Sequence, residues 1–268
     1  MTALCTMLQV GRATYYRWRQ AAEPVDMEVR DQIQAIALEF PAYGYRRITH
    51  ELRRRGMTVN HKAVLRLMRE DNLLCLRRKS FLVTTNSRHS LPVYPNLAAG
   101  LRPSGINQLW VADLTYIRLR LEFVYLAVML DAFSRRVIGW ALGRVLDAEL
   151  ALSALRMALQ QRQPAPGLVH HSDRGVQYAS TAYTELLHQR GVSISMSRTG
   201  NPYDNAMAES FIKTLKYEEI YRSDYRDLAD LYASMDQFIE EVYNRKRLHS
   251  ALGYLPPAEF EQKTGRAS

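Results

Sequence analysis

Cysteine is almost missing from this chain: Cys5 and Cys75 are the only two, and no CxxC pair occurs. No uninterrupted apolar run approaches the ~18 residues of a membrane span, so no span is expected. The opening "MTALCTMLQVGRATYYRWRQ" has no apolar stretch of the kind a secretory signal needs, so export is not expected. Without a CxxC pair or an export signal, both cysteines are expected to be reduced thiols of a cytosolic protein. Internal repeats and heptad runs are also lacking.

What is present is length and uneven charge. The 268 residues can bury one large core, or one domain plus a smaller one, and 47% hydrophobic with 24% charged residues is ordinary for a globular chain. The net charge of +9 is concentrated at one end. Residues 1–100 hold 16 Lys/Arg against 8 Asp/Glu, whereas residues 101–268 hold 20 against 19. A basic block joined to a nearly neutral larger one implies a polyanion-binding module feeding a second domain.

Residues 1–75 read as short helices. "TALCTMLQV" and "TYYRWRQ" flank Gly11, with Thr14 as an N-cap candidate. "VDMEVRDQIQAIALEF" spaces Val29, Ile33, Ile36 and Leu38 at helical intervals and stops at Pro41. "YGYRRITHELRRRG" and "TVNHKAVLRLMREDNLL" are two further helices around a Gly56 turn, with Asn60 as a cap and Val64, Leu67 and Met68 facing inward. Carrying Arg46, Arg47, Lys62 and Arg66, this pair suits a DNA-binding helix-turn-helix. Residues 76–106, with Arg77, Arg78 and Lys79 at their start, read as a basic extended linker able to track a phosphate backbone.

Beyond residue 107 the pattern becomes alternating. "QLWVADLTYIRL", "EFVYLAVMLDAF" and "SRRVIGWAL" read as three closely connected antiparallel strands. A helix capped by Asp147 follows, then a buried strand "GLVHHSD", a helix in "STAYTELLHQRG", a strand "VSISM" and the helix of "AMAESFIKTLKYEE". The order predicts a mixed five-stranded α/β sheet with flanking helices, of ribonuclease-H-like topology, over residues 107–222. Residues 223–268 then give a helix, "LADLYASMDQFIEEVYNR", and an irregular "LHSALGYLPPAEF".

Three acids stand out by position. Asp113 lies mid-strand among Trp110, Val111, Leu114 and Ile117, where a lone carboxylate is costly to bury. Asp173 ends the fourth strand, at the carboxyl edge where open α/β sheets place ligands. Glu209 sits on the helix after the Gly200-Asn201-Pro202 turn, which Asp204 or Asn205 can start. If the first and fourth strands are neighbours, Asp113 and Asp173 converge. Glu209 would then be a third ligand, for a hard cation such as Mg²⁺ or Mn²⁺, with two ions serving phosphoryl transfer. Singly, each acid reads equally as a cap or a surface ion pair.

Asp173 and Glu209 are separated by 35 residues. With that spacing, "WVADLTYI", "HHSDRGVQY" and "NPYDNAMAESFIKTLKYE" resemble the DDE transposases and retroviral integrases. The chain is similar in particular to the second-reading-frame (OrfB) transposase products of bacterial insertion sequences of the IS-three type, through "YGYRRITHELRRRG", "RRVIGWAL" and "YNRKRLHSALGYLPPAEF". The resemblance implies metal-dependent cleavage of double-stranded DNA at transposon ends and joining of the freed 3′-OH to a new phosphodiester. Asp113, Asp173 and Glu209 would be the metal ligands and catalytic acids. It also implies a homo-oligomer on DNA, at least a dimer, an upstream-frame product or fusion as a further partner, and a cytoplasmic, nucleoid-associated location.

Neighbouring residues divide between contact and structure. On a helix, Asn205, Lys213 and Lys216 fall within about 40° of Glu209 and share its face, suited to gripping phosphate, while Met207, Phe211 and Leu215 lie opposite. The alternative for the lysines is a surface Glu–Lys pair. The family pattern has a basic residue at Lys216. Arg174 and Gln177 follow Asp173 in a position to meet substrate. His170 and His171 alternate onto opposite strand faces with no cysteine near, which excludes zinc. Asp131 serves the turn at "DAFSRR", Trp110 and Trp140 are core, and Asn244, Arg245, Lys246, Arg247 and His249 form a polar cluster that reads as DNA contact or plain surface. A nuclease that only hydrolyses, or a catalytically silent helix-turn-helix protein, are the competing functions.

Overall fold

The computed structural model describes residues 24–73, 91–120, 122–198 and 205–265, with 24–26 described by backbone alone. The helices expected in residues 2–20, the Gly200–Asp204 turn, both cysteines, and Arg77, Arg78 and Lys79 lie outside the described residues. Two compact units divide the chain, Met1–Arg77 and Arg78–Ser268.

The first unit contains α1 (Pro24–Glu39), α2 (Tyr45–Arg54) and α3 (His61–Glu70). Val29, Ile33, Ile36, Ile48, Leu52, Val64, Leu67 and Met68 are buried together with Phe40 and Tyr43. Leu38 is 74% exposed, because the stripe of α1 turns away from it and Phe40 closes the core instead. Gly56, at φ 86°, makes the turn between α2 and α3, in a region that an L-residue enters only with strain. Asn60 caps α3 as expected, its Oδ1 accepting from the Lys62 amide at 2.9 Å.

The second unit is built on one sheet of order β3-β2-β1-β4-β5. Its strands are β1 (Leu109–Arg118), β2 (Phe123–Asp131), β3 (Val137–Gly143), β4 (Val169–Ser172) and β5 (Ser193–Met196). The first three form an antiparallel meander, while β4 and β5 run parallel to β1 and to each other. This is the mixed five-stranded, ribonuclease-H-like sheet that the element order predicts.

Each sheet face is covered by helices. One carries α4 (Ala148–Arg162), the short α5 (Val176–Ala179) and α6 (Thr181–Gln189), packed on Trp110, Ala112, Met129 and Ile138. The other carries α7 (Ala206–Glu218), whose Phe211 and Leu215 lie against Val111, Ile117, Val128 and Trp140. Asp147 caps α4 by accepting from the Leu150 amide at 3.0 Å.

Residues 223–265 join that same core. Leu231, Met235, Phe238, Ile239 and Tyr243 are buried with the α7 side chains. "LADLYASMDQFIEEVYNR" does not continue as one α-helix: α8 (Leu228–Asp236) passes into a π-helical stretch, Gln237–Lys246. The wider turn accompanies Asn244, whose Oδ1 accepts from the Val137 amide and whose Nδ2 donates to the Val137 carbonyl, both at 3.0 Å. One side chain thereby satisfies backbone groups of the edge strand β3. The supposedly irregular "PPAEF" opens a helix, α9 (Pro257–Gly265), because proline at the first helical position needs no hydrogen-bond partner.

The expected linker also has structure-bearing contacts where it is described. The amides of Leu97 and Ala98 donate to Ser195 Oγ at 2.8 and 3.2 Å, and Met196 N donates to Pro95 O at 3.4 Å. Residues 95–98 therefore cover the exposed edge of β5, which explains why they are not a free tether.

Glu261 on α9 binds Arg136 and Arg162 and accepts from Ser134 Oγ at 2.7 Å, fastening the last helix to α4 and the β2–β3 turn. Its side chain is 9% exposed and that of Arg162 10%. Glu261→Ala leaves two guanidinium groups without their carboxylate and is expected to cost about 2 kcal/mol in chemical denaturation. Glu261→Gln should recover part of that.

Candidate active site

β1 and β4 are adjacent, and their parallel ladder ends at Val111 opposite His171. Asp113 and Asp173 each lie two residues beyond that last pair, so continuing the register sets them side by side where β4 ends and β1 runs on. Strands stand about 4.8 Å apart, close enough for two carboxylates to feel each other strongly.

The electrostatics follow. Burial pushes the Asp113 carboxyl up from 3.8 to about 8, aided by the negative charges of Asp173 and Glu209 and opposed by Lys216 and the Leu114 amide. The carboxylate keeps a little exposed surface, yet the protein around it replaces most of its hydration. Glu209 is raised by partial burial, and Lys216 is lowered by burial although the charge of Asp113 counteracts this. All three acids therefore share one electrostatic neighbourhood.

Backbone amides hold two of them in place. Asp113 Oδ1 accepts from Leu114 N at 2.8 Å, and Asp173 Oδ1 accepts from Gly175 N at 2.9 Å. A Cβ on Gly175 would stand 3.0 Å from Asp173 Oδ1 and 3.0 Å from Gln177 Oε1. Gly175→Ala should therefore displace Asp173 and slow the DNA cleavage that the resemblance implies roughly 10-fold, with a thermal unfolding midpoint little changed. An unchanged cleavage rate would show that this fit is not needed.

Glu209 comes from the first turns of α7. Asn205 precedes that helix but does not cap it by side chain. It is buried, and its Nδ2 donates to the Ala112 carbonyl at 3.0 Å, where β1 has run past its β4 partner. Asn205 thus fixes α7 to the strand position before Asp113 and is a positioning residue rather than a surface DNA contact.

The donor set fits a hard divalent cation by its chemistry, being all oxygen and mutually repulsive. It does not form a closed cage. Among the described residues no group of three His, Cys, Asp or Glu is drawn close enough to hold a metal ion unaided. Like charges keep apart until a cation draws them together. Among the described residues, two buried polar atoms in this neighbourhood, the Tyr178 hydroxyl and Asn205 Oδ1, find no hydrogen-bond partner. Such groups are uncommon in a folded interior and fit a site that handles hydrated ions or substrate. Tyr178, buried behind Asp173 and Asp113, was not legible in "RGVQY", since a tyrosine there reads as loop or core alike.

Among the other expected contacts, Lys216 lies half-buried with Nζ 4.8 Å from the Tyr116 ring centroid, and Lys213 is exposed on the same helix. Arg174 Nε donates to Ser197 O at 2.8 Å. Gln177 is buried and donates to the Leu146 carbonyl at 3.3 Å, so it supports the loop rather than facing solvent. Arg46, Lys62 and Arg66 are exposed on α2 and α3, Arg47 partly so, with Arg46 over Tyr45 and Arg66 paired to Glu70 at 2.9 Å.

The histidines are structural and lie on opposite sides, as expected. His170 meets the Tyr183 hydroxyl at 2.9 Å and is pushed down to about 3 by burial, while His171 bridges Ser195 and Ser197 at 2.8 and 3.0 Å. Asp131 organises its turn, accepting from the amides of Phe133 and Ser134 at 3.0 Å and of Asn107 at 2.6 Å. Trp110 and Trp140 are core. In the tail cluster, Arg247 is buried and grips Glu218 through two 2.7 Å hydrogen bonds, so with Asn244 it is structural.

Known proteins match along this same arrangement. A model described as an integrase core domain matches residues 103–202, a second integrase core model matches 190–257, and an HTH-like domain matches 24–81. The chain is 40% identical to the insertion element IS600 uncharacterized 31 kDa protein of Shigella sonnei, over 97% of this chain and 98% of that protein. It is 36% identical to transposase InsF for insertion sequence IS3A of Escherichia coli strain K12, over 97% and 93%. With the transposase for insertion sequence element IS904 of Lactococcus lactis it shares 38% over 91% and 98%. Among solved structures, the simian T-cell lymphotropic virus intasome gives a TM-score of 0.49 at 16% identity, covering 82% of this chain and 70% of that one. The catalytic core domain of BIV integrase gives 0.46 at 18%, covering 60% and 97%.

Proposed function

The chain belongs to the IS3-family transposases, enzymes of the polynucleotidyl transferase class that act on DNA, and from that premise we propose that Asp113, Asp173 and Glu209 form its catalytic metal site. The observation that carries this reading is the shared neighbourhood of the three acids, in which Asp113 is pushed up to about 8 partly by the other two. Mg²⁺ or Mn²⁺, as a pair of ions, would supply activation of an attacking oxygen and stabilisation of a leaving one.

The chain's own groups do the rest. Asp113 and Asp173, fixed by the Leu114 and Gly175 amides, present oxygens from two adjacent strands, Asp113 within β1 and Asp173 just past β4. Glu209 presents its carboxylate from α7, whose start Asn205 ties to β1. Water attacks the phosphodiester at a transposon end and releases a 3′-OH, which then attacks a target phosphodiester in the same site. The acids act as ligands, not nucleophiles, so no protein–DNA bond forms. Lys216, Lys213 and Arg174 contact the reacting DNA, while Arg46, Arg47, Lys62, Arg66, Arg77, Arg78 and Lys79 hold its phosphates, so affinity should fall steeply with salt. The family resemblance further supports a homo-oligomer on DNA, an upstream-frame partner and a nucleoid-associated location. Among the described residues, no helix is long and apolar enough to cross a membrane.

The test is a duplex ending in the element's inverted repeat, incubated with full chain, plasmid and Mg²⁺. Joining of a preformed 3′-OH to plasmid is expected. Hydrolysis without joining would favour the nuclease reading.

A further inference from the structure

One face of the β1–β2 hairpin carries an aromatic and cationic surface of which the chemistry above uses only Lys216, reaching over from α7. Tyr116 pairs across the strands with Tyr125, and Arg118 with Phe123, so these side chains share a face. The rings of Tyr116 and Phe123 meet edge to face, with centroids 5.8 Å apart at 70°. The Arg118 guanidinium carbon stands 5.9 Å from the Phe123 centroid, and Lys216 Nζ stands 4.8 Å from that of Tyr116. Phe123 is 50% exposed and Arg118 is exposed.

A hairpin needs cross-strand pairs for stability, but it does not need a ring half in water beside a guanidinium, next to a second ring that carries a lysine. The nearby carboxylate of Glu122 is engaged by Arg144 at 2.8 Å, and among the described residues Arg118 has no ion pair. The surface is therefore positive as well as aromatic. It is also continuous with the acids, because Lys216 both lies over Tyr116 and offsets charge on Asp113.

An exposed ring with a cation beside it, and a second cation over the adjoining ring, selects its ligand by chemistry. Duplex DNA offers phosphates and base edges, whereas a base outside the duplex offers a flat π-face beside a phosphate. We propose that this hairpin face binds an unpaired nucleotide of the strand processed at the acids, with its base stacked on Phe123 and neighbouring phosphates on Arg118 and Lys216. The proposal rests on the reading of the acids as the DNA-cutting site, since their position brings a strand end here. It assigns Phe123 and Arg118 to substrate binding and gives the site a preference for frayed or tailed ends over blunt ones.

The test separates the two readings by omitting catalysis. Full-length Asp113→Asn protein, without divalent metal, is titrated with a duplex bearing a short single-stranded tail that contains 2-aminopurine, and with the same duplex blunt-ended. Tail binding should quench 2-aminopurine fluorescence. Phe123→Leu keeps an apolar side chain but removes the stacking face, and should weaken tailed-duplex binding about 10-fold while blunt-duplex binding stays the same. Arg118→Ala should weaken the tailed complex less, and Phe123→Trp should preserve both binding and quenching. Equal losses on both duplexes, or none on either, would overturn the proposal. So would a Phe123→Leu variant that only changes sedimentation, since that outcome makes this face a contact between copies of the chain. Tail-specific binding, alongside natural protein that neither cuts nor joins DNA in Mg²⁺, would instead leave this site standing and remove the metal-acid reading.

Discussion

Asp113→Asn, Asp173→Asn and Glu209→Gln should each reduce DNA cleavage and strand joining by about 10³-fold or more, with duplex affinity changed less than about twofold. Each substitution keeps shape and hydrogen bonding while removing a negative oxygen donor. The three should not be additive, because losing one ligand already disables the unit. Asp113→Asn is the most informative. Its Oδ1 can still accept from the Leu114 amide, so a lost rate points to lost charge rather than to a moved strand. Single-turnover assays on a preformed 3′-OH end separate joining from cleavage, and both steps should fail together if one site performs them. Retention of joining alone would require a second site.

The second large effect is on stability. Asp113 is pushed up from 3.8 to about 8 in the folded protein, so the folded state holds its proton across a range where the unfolded chain has released it. The resulting contribution is fully present below about pH 4 and is lost as pH rises toward about 8. Full linkage for that displacement is about 6 kcal/mol, and solvent at the part-exposed Asp113 should reduce it to about 3 kcal/mol. Metal-free protein should therefore be less stable at pH 8 than at pH 5 through this residue. Asp113→Asn should remove that dependence and raise the unfolding midpoint at pH 8 by roughly 6–10 °C. Mg²⁺ should raise the midpoint of the natural protein and leave that of Asp113→Asn nearly unchanged. A natural protein already as stable as Asp113→Asn at pH 8 would mean that burial and the neighbouring acids do not raise the Asp113 carboxyl.

These consequences rest on features of unequal legibility. The convergence of Asp113 and Asp173 was readable because one is an acid set in mid-strand and the other closes a strand, and only the adjacency of β1 and β4 had to be supplied. The strands were readable from alternation, and Asn60 and Asp147 from local capping chemistry. Asn205 does stand at the start of α7, but its side-chain role was hidden because its partner, the Ala112 carbonyl, is exposed only where β1 outruns β4, 93 residues earlier in the chain. The π-helical stretch was hidden for a similar reason. "DQFIEEVYNR" has ordinary helical composition, and it is Asn244 against Val137, 107 residues away, that accompanies the wider turn. Two prolines made α9 look irregular although Pro257 is placed where a helix can begin. What escaped the sequence is mostly long-range satisfaction of backbone groups.

The most direct measurement replaces the bridging 3′ oxygen at the scissile phosphodiester with sulfur, in a transposon-end duplex cut by the full chain. If metal held by Asp113, Asp173 and Glu209 stabilises the leaving atom, Mg²⁺ should support cleavage of the sulfur substrate about 100-fold more slowly than Mn²⁺, which accepts sulfur more readily. The oxygen substrate should be cut in both metals, and Asp113→Asn should cut neither substrate in either. Equal rates for the sulfur substrate in Mg²⁺ and Mn²⁺, or cleavage by Asp113→Asn, would contradict the account.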